Sequence, residues 1–178
     1  MELKRNSQTF QDFNSTILKP SNEEQVQQII RYCYKNNLSI EIIGTGSKKE
    51  IGKNLQCKKI LDMSNISGII NYKPDELYIT AKASTPVNFI QEELKKNNQY
   101  LAFEPVNFEK IFEKDSKEGT IAGALSCNFS GSRRFKVGSA RDHILGFKGY
   151  NGKGEKIKSG GTVQKNVTGY DLSKLITG

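Results

Sequence analysis

The sequence contains no tryptophan, one histidine and three cysteines, and each scarcity excludes a kind of site. A single histidine, His143, excludes a metal centre built from several histidines. The cysteines Cys33, Cys57 and Cys127 lie far apart and form no C-x-x-C pair, so the sequence predicts neither a zinc site nor a disulfide framework. We therefore expect no bound metal and three reduced thiols, as is typical of a cytosolic protein.

Long apolar runs are missing as well. No stretch is long and apolar enough to cross a bilayer. Residues 1–6 lead into polar sequence and lack the apolar core of a signal peptide. The sequence therefore predicts a cytoplasmic protein without a transmembrane segment.

The sequence also lacks a ribbon of basic and aromatic residues of the kind that stacks single-stranded nucleic acid. The formal charge is +8, but lysines alternate with acidic residues along most of the chain. Only residues 133–136, Arg-Arg-Phe-Lys, form a local basic cluster. We expect no nucleic-acid partner, but a basic nucleic-acid binder stays open as a third hypothesis, after an enzyme and a non-catalytic binding subunit. Salt-dependent retention on DNA would distinguish it from those two.

Glycine, by contrast, is plentiful, and residues 39–49 contain its most informative pattern. Three isoleucines predict a strand, which runs into a glycine turn, a serine and two lysines. Glycine allows positive φ, and successive N–H groups in such a turn can surround an anion, here interpreted as a pyrophosphate. The candidate binding residues of this glycine turn are Gly44, Thr45, Gly46, Ser47 and Lys48. Their spacing fits neither a Walker A loop nor a Rossmann fingerprint, so an ordinary turn with solvated lysines stays open as the alternative.

The first half of the chain predicts alternating helices and strands. A capping box of Ser21 and Glu24 predicts a helix that ends at residues 36–37. Thr85 as cap and Pro86 at the first position predict a second helix. Strands are predicted over residues 40–43, 59–63, 69–72 and 77–81, and the last two are predicted to form a hairpin across Pro74 and Asp75. This order indicates an α+β fold around a small sheet.

The second half predicts shorter elements. They are a strand over residues 100–106, a helix of small residues over 119–126, a turn over 128–131, a hairpin of 144–150 with 155–158, and a helix over 169–175. His143 follows Arg141 and Asp142 without a nucleophile motif nearby, so a half-buried turn residue is favoured over a catalytic base. A chain poor in acid–base groups and rich in glycine suits chemistry that a bound cofactor supplies.

Four motifs in the chain occur in the order found in a known family. They are Ile-Gly-Thr-Gly-Ser-Lys at 43–48, Gly-Thr-Ile-Ala-Gly at 119–123 with Asn-Phe-Ser-Gly at 128–131, Gly-Ser-Ala-Arg-Asp-His-Ile-Leu-Gly at 138–146, and Lys-Asn-Val-Thr-Gly-Tyr-Asp-Leu at 165–172. Together they resemble the FAD-binding domain of the vanillyl-alcohol oxidase and p-cresol methylhydroxylase type. Within that family, the chain most resembles the FAD-binding subunits of bacterial glycolate oxidases.

The resemblance implies a two-lobed α+β domain with FAD between the lobes. Residues 1–178 would be one domain, with lobe one at about 14–84 and lobe two at about 85–178. The family's next strand and its substrate-cap domain have no match here, so we expect a C-terminally truncated domain without the cap.

The resemblance also implies which residues contact FAD. The second lobe would add residues along the flavin and ribityl side, namely Thr120, Ile121, Gly123, Asn128 and Gly131. The glycine turn has no match for the histidine that binds flavin covalently in some relatives, so we expect non-covalent FAD. Arg141 and Asp142 would brace the second lobe, and the catalytic residues stay unassigned.

The implied activity is that of an FAD-dependent oxidoreductase acting on a CH–OH group. Its substrate in the full protein would be a small 2-hydroxy acid such as glycolate. Its partners would be other oxidase subunits, through which it could associate peripherally with the inner membrane. The chain alone is expected to be inactive. The alternative is a non-catalytic subunit that holds FAD or serves assembly.

Overall fold

The computed structural model describes residues 9–49, 51–53, 55–107, 118–161 and 171–178. The helices in these residues are α1 Glu23–Lys35, α2 Val87–Lys95, α3 Ile121–Cys127, α4 Arg134–Val137, α5 Ala140–His143 and α6 Leu172–Leu175. The strands are β1 Ile17–Leu18, β2 Ile40–Ile43, β3 Lys59–Asp62, β4 Ile69–Lys73, β5 Tyr78–Ala81, β6 Gly146–Tyr150 and β7 Lys156–Gly160. This mixture confirms the predicted α+β class. None of these helices is long and apolar enough to cross a membrane.

A three-stranded parallel sheet carries the glycine turn. Its order is β1-β3-β2, with Leu18 of β1 and Ile42 of β2 on either side of Leu61 in β3. Helix α1 provides the crossover that connects the parallel strands β1 and β2. The chain passes from the carboxyl end of β2 directly into the glycine turn. Ligands of open parallel sheets bind at this end of the strands.

The core of the first half lies between α1 and this sheet. Val26, Ile29 and Cys33 recur on one face of α1 and are buried. They pack with Leu18 and Leu61 from the sheet. Burial also raises the pKa of the Cys33 thiol, because the thiolate would lose its hydration. All three cysteines are free thiols.

The start of α1 differs by one residue from the predicted capping box. Asn22 is the N-cap, and its side chain accepts a hydrogen bond from the N–H of Gln25 at 2.9 Å. Gln25 Oε1 accepts in return from the N–H of Ser21 at 2.7 Å. The prediction of Ser21 with Glu24 is wrong because asparagine caps as well as serine, and glutamine can replace glutamate in the reciprocal bond.

The start of α2 also differs from its prediction. Pro86 is the N-cap, and no side chain caps the helix. The Thr85 hydroxyl instead lies 2.7 Å from the carbonyl of Lys82 and 3.1 Å from that of Gly68. Thr85 is fully buried, so its hydroxyl bonds to the nearest carbonyls of the preceding loop and does not reach the helix.

The strand predicted over residues 100–106 is wrong. The described segment is irregular, and its one β-type contact is an isolated bridge between Pro105 and Ser130. Glu104 has a φ of 50°, a left-handed conformation that an extended strand excludes. Pro105 has no backbone N–H to give to a ladder.

The two predicted hairpins are confirmed. Strands β4 and β5 pair antiparallel, and so do β6 and β7. The last predicted helix is shorter than expected among the described residues, since α6 begins at Leu172 with Asp171 as N-cap. Its predicted first residues, 169 and 170, lie outside the described part of the chain, as do residues 165–170 of the fourth motif.

The turn between β6 and β7 is fixed on α1. Gln27 Nε2 donates to the carbonyl of Gly154 at 2.8 Å. Gly154 is buried, and a Cβ placed there would lie 2.6 Å from Cγ of Arg31. Tyr150, at the end of β6, packs against the core between α1 and the sheet. The β6–β7 hairpin, from the second half of the chain, therefore packs against α1 and the core of the first half.

Candidate functional site

The glycine turn has a left-handed backbone at its centre. Gly46 has a φ of 79°, and the N–H of Lys49 donates to the Gly46 carbonyl at 3.1 Å. Residues with bulky or β-branched side chains are strained at such a φ. The conformation of the turn therefore depends on glycine at position 46.

Gly44 allows the turn to approach the start of α3. A Cβ placed on Gly44 would lie 2.9 Å from Cγ2 and 3.0 Å from Oγ1 of Thr120. Thr45 Oγ1 donates a hydrogen bond to the carbonyl of Glu118. The structure therefore brings the glycine turn together with residues 119–123, which the sequence assigned to the same site.

Three consecutive backbone N–H groups of the turn can bind a ligand. Within the part of the chain that the structure describes, no acceptor is found for the N–H of Thr45, Gly46 or Ser47. All three residues are half-buried. Partly buried N–H groups need partners, and a succession of them forms an anion-binding concavity. The turn therefore offers donors to the oxygens of a phosphate group.

The first amide groups of α3, in contrast, are already bonded within the protein. Its first two N–H groups donate to the loop before α2, in the pairs Ile121 to Thr85 at 2.9 Å and Ala122 to Ala83 at 3.1 Å. The third N–H group, that of Gly123, donates to Oγ1 of the N-cap Thr120 at 3.3 Å. Ile121 and Gly123 therefore shape the wall beside the turn but have no spare backbone donor.

Lys48 adds positive charge at the same place. Its Nζ lies over α3, where a Cβ placed on Gly123 would be 3.1 Å away. Burial lowers the pKa of Lys48, and the nearby Cys127 opposes that shift. The side chain also borders a cavity of about 170 Å³, which extends to α2 and to residues 105–107. A cation beside a row of N–H donors suits an anion such as a diphosphate.

Asn128 and Gly131 lie at the other end of α3. Helix α3 has seven residues, which separates its two ends by roughly 10 Å. Asn128 is the C-cap, and its Oδ1 accepts from the N–H of Arg141 at 3.0 Å. Gly131 lies against Glu104, since a Cβ on Gly131 would be 2.7 Å from the Glu104 Cβ. The structure therefore does not bring these two predicted residues to the glycine turn.

Thr85 is a positioning residue that the sequence misassigned. Its Oγ1 accepts from the N–H of Gly68 at 2.9 Å and lies 2.7 Å from the Lys82 carbonyl. Its own carbonyl accepts from the first N–H of α3. This buried hydroxyl thus holds the loop that caps α3 beside the glycine turn. A Thr-Pro pair is typical of the start of a helix, so the sequence predicted a helix cap at Thr85 and not this role.

Replacing Thr85 by valine should lower the free energy of unfolding. Thr85→Val keeps the shape of the side chain but removes the hydrogen bonds of a buried hydroxyl and leaves the half-buried N–H of Gly68 without this acceptor, at a cost of about 1–3 kcal/mol. Urea unfolding measures the change. Thr80→Val, at an exposed position of β5, is the matched control and should stay within about 0.5 kcal/mol of wild type. Equal effects of the two substitutions would contradict the role of Thr85.

His143 and Asp142 are engaged in local structure. The expectation of a half-buried histidine is wrong: His143 is exposed, with Nε2 2.9 Å from the carbonyl of Val137. Asp142 accepts from the N–H and the hydroxyl of Ser139, and these hydrogen bonds lower its pKa. Both residues therefore contribute hydrogen bonds to the local structure. In the described residues, no group of three or more metal-binding side chains occurs.

The chain is similar to known flavoproteins along most of its length. A family model described as an FAD binding domain matches residues 15–160. Glycolate oxidase subunit GlcE of Escherichia coli is 37% identical over 94% of this chain and 43% of that protein. Glycolate oxidase subunit GlcD of Bacillus subtilis is 22% identical over 95% of this chain and 34% of that protein. The chain thus spans less than half the length of these relatives.

The fold is also found in solved structures. An alkyldihydroxyacetonephosphate synthase superposes with a TM-score of 0.68 at 17% identity, over 91% of this chain and 28% of that one. At this identity the match concerns the fold alone. The family model, in contrast, covers well over half of the sequence. The chain belongs to the FAD binding domain family, and FAD is its cofactor.

Proposed function

We propose that the diphosphate of FAD binds at the glycine turn, in contact with Gly44, Thr45, Gly46, Ser47 and Lys48. The observation that carries this proposal is the row of three N–H groups for which the described residues offer no acceptor, with the Lys48 side chain beside it. Charge-assisted hydrogen bonds of this kind are each worth about 1.5–3 kcal/mol. The turn also lies at the carboxyl end of a parallel strand, where ligands of such sheets bind.

The rest of the cofactor would extend along α3. Thr120, Ile121 and Gly123 would line its path near the turn, and Asn128 and Gly131 would lie roughly one helix length further on. The small side chains of α3 support this path, because they let a flat or extended ligand approach the helix backbone. In this arrangement residues 14–84 form one lobe, residues 85–178 the other, and FAD lies between them.

The reaction we propose is the oxidation of a small 2-hydroxy acid by a flavoprotein of which this chain is the FAD-binding part. The names of its relatives support it, since they include glycolate oxidase subunits and D-lactate dehydrogenase. Bound FAD would supply the hydride acceptor. The protein's residues would bind and orient the cofactor, and further oxidase subunits would be its partners. A cytoplasmic location, with membrane attachment only through such subunits, goes with this proposal.

The protein should bind FAD without a covalent bond. The glycine turn contains neither histidine nor cysteine, and the nearby Cys127 belongs to α3 and lies beside Lys48. The purified protein should show a flavin spectrum, and acid precipitation should release all of the yellow colour into the supernatant. Colour that remains in the pellet would contradict the non-covalent site. Absence of flavin from native protein would contradict the proposed function itself.

A second candidate function is an FAD-holding or assembly subunit without catalysis of its own. The engagement of His143 and Asp142 in local hydrogen bonds favours this candidate. The two functions can be distinguished in the native assembly with a variant whose glycine turn no longer binds FAD, by measuring how much flavin glycolate reduces. If the flavin that glycolate reduces is lost, this chain carries the catalytic FAD. If glycolate still reduces flavin on another subunit to the same extent, this chain has a holding role.

A further inference from the structure

A guanidinium group is held in a defined position just beyond the turn that follows α3. Arg133 Nη1 donates to the hydroxyl of Tyr100 at 3.1 Å. The Arg133 Cζ also lies 5.6 Å from the centre of the Tyr100 ring. These two contacts place the exposed guanidinium beside a side chain from a distant segment.

Glu104 adds to this placement. Its Oε2 accepts from the backbone N–H of Arg133 at 3.4 Å, and its Oε1 lies 4.0 Å from Nη1. Glu104 has a left-handed φ of 50°, and it fits there because Gly131 has no Cβ. Non-glycine residues with such a backbone are concentrated at functional sites. In this conformation Glu104 contacts both the backbone and the side chain of Arg133.

The other cations of the basic cluster are not restrained in this way. Arg134 lies 5.7 Å from the ring of its own neighbour, Phe135, which is 93% exposed. Arg133, Arg134 and Lys136 are all exposed, so the contacts of Arg133 distinguish it and its burial does not. Among the described residues, Arg133 is the cation of this cluster whose side chain is held by residues from another segment.

The geometry points to Arg133 as the residue that binds the carboxylate of a 2-hydroxy acid substrate. This inference rests on the proposed function, in which the flavin end of FAD lies near Asn128 and Gly131. Arg133 follows Gly131 by two residues. Of its five N–H donors, one is given to Tyr100, and Nη1 forms an ion pair with Glu104 at 4.0 Å without a hydrogen bond. The remaining donors suit a carboxylate bound through two parallel hydrogen bonds.

Oxalate, an inert acid of similar size, can test this inference. Native FAD-loaded protein is titrated with oxalate, and the change in flavin absorbance gives the dissociation constant. Arg133→Met should raise that constant about tenfold or more. Arg133→Lys keeps the charge but cannot make paired bonds, so it should raise the constant by an intermediate factor. The FAD content should stay unchanged in both variants, since neither removes a group at the glycine turn.

Lys136→Met is the matched control, because it removes one positive charge from the same cluster. Its oxalate dissociation constant should stay within about twofold of wild type, as expected for a screened surface charge. Equal weakening by Lys136→Met and Arg133→Met would overturn the inference in favour of general charge attraction. Unchanged binding in Arg133→Met, or wild-type holoprotein that does not bind oxalate, would overturn it as well. Protein without FAD would overturn the proposed function as a whole, and is detected before any titration.

Discussion

Substituting Gly46 by valine is expected to lower the affinity for FAD at least tenfold. At a φ of 79°, a β-branched residue is strained, so the turn must change its backbone. The positions of the N–H groups of Thr45, Gly46 and Ser47 would then change. Loss of a single charge-assisted bond, worth about 1.5–3 kcal/mol, already accounts for a factor of ten or more. Titration of apoprotein with FAD measures the change.

Gly52→Val is the control for this experiment. Gly52 also has a positive φ, of 90°, and among the described residues no atom apart from its chain neighbours lies within 4 Å of a Cβ placed there. Valine should therefore cause similar backbone strain at position 52 without touching the glycine turn. FAD affinity should stay close to wild type in Gly52→Val, and the far-UV circular dichroism of both variants should remain that of folded protein. A folded Gly46→Val protein with unchanged affinity would show that the diphosphate binds elsewhere.

The FAD-loaded chain alone is expected not to oxidise a 2-hydroxy acid. Orientation of a substrate over a reactive group can be worth roughly 7–11 kcal/mol of activation free energy. Arg133 could hold one end of a substrate, but one anchor does not orient the CH–OH group. His143, the only histidine of the chain, is exposed and bonded to a backbone carbonyl. Anaerobic mixing with glycolate or D-lactate should therefore leave the flavin oxidised, without bleaching of its absorbance band.

Bleaching of the flavin within seconds would contradict this expectation. If His143→Ala then abolished the bleaching, His143 would be the missing base, and its hydrogen bond to Val137 would have to open during turnover. Native protein with its partner subunits is the positive control, since bleaching is expected there.

The elements that the sequence predicted well are those set by local pattern. The isoleucines of β2, the two glycines after it and both hairpins depend on residues close together in the chain. The strand over residues 100–106 failed because the conformation of Glu104 is determined by a distant residue. Gly131 leaves room for the Glu104 side chain and donates its N–H to the Glu104 carbonyl at 3.0 Å. No local pattern contains that information.

The candidate site shows the same difference between features set by neighbouring residues and features set by distant ones. The glycine turn was visible in the sequence because its own residues provide both the shape and the donors. The sequence could not predict that the first two N–H groups of α3 are already bonded within the protein. Their acceptors are the carbonyls of Thr85 and Ala83, more than thirty positions earlier in the chain. The sequence motifs therefore indicate which segments lie together, and the hydrogen bonds of the structure show which of their atoms are available to a ligand.

The bond between Gln27 and Gly154 bears on how the chain reaches this fold. The two residues are 127 positions apart. During synthesis the N-terminal part of a chain leaves the ribosome first. Helix α1 and its sheet are therefore made long before the hairpin that covers them, and Tyr150 does not pack against their core in the meantime. Contacts between residues far apart in the chain form slowly, so the newly made first half exposes apolar surface until the hairpin docks.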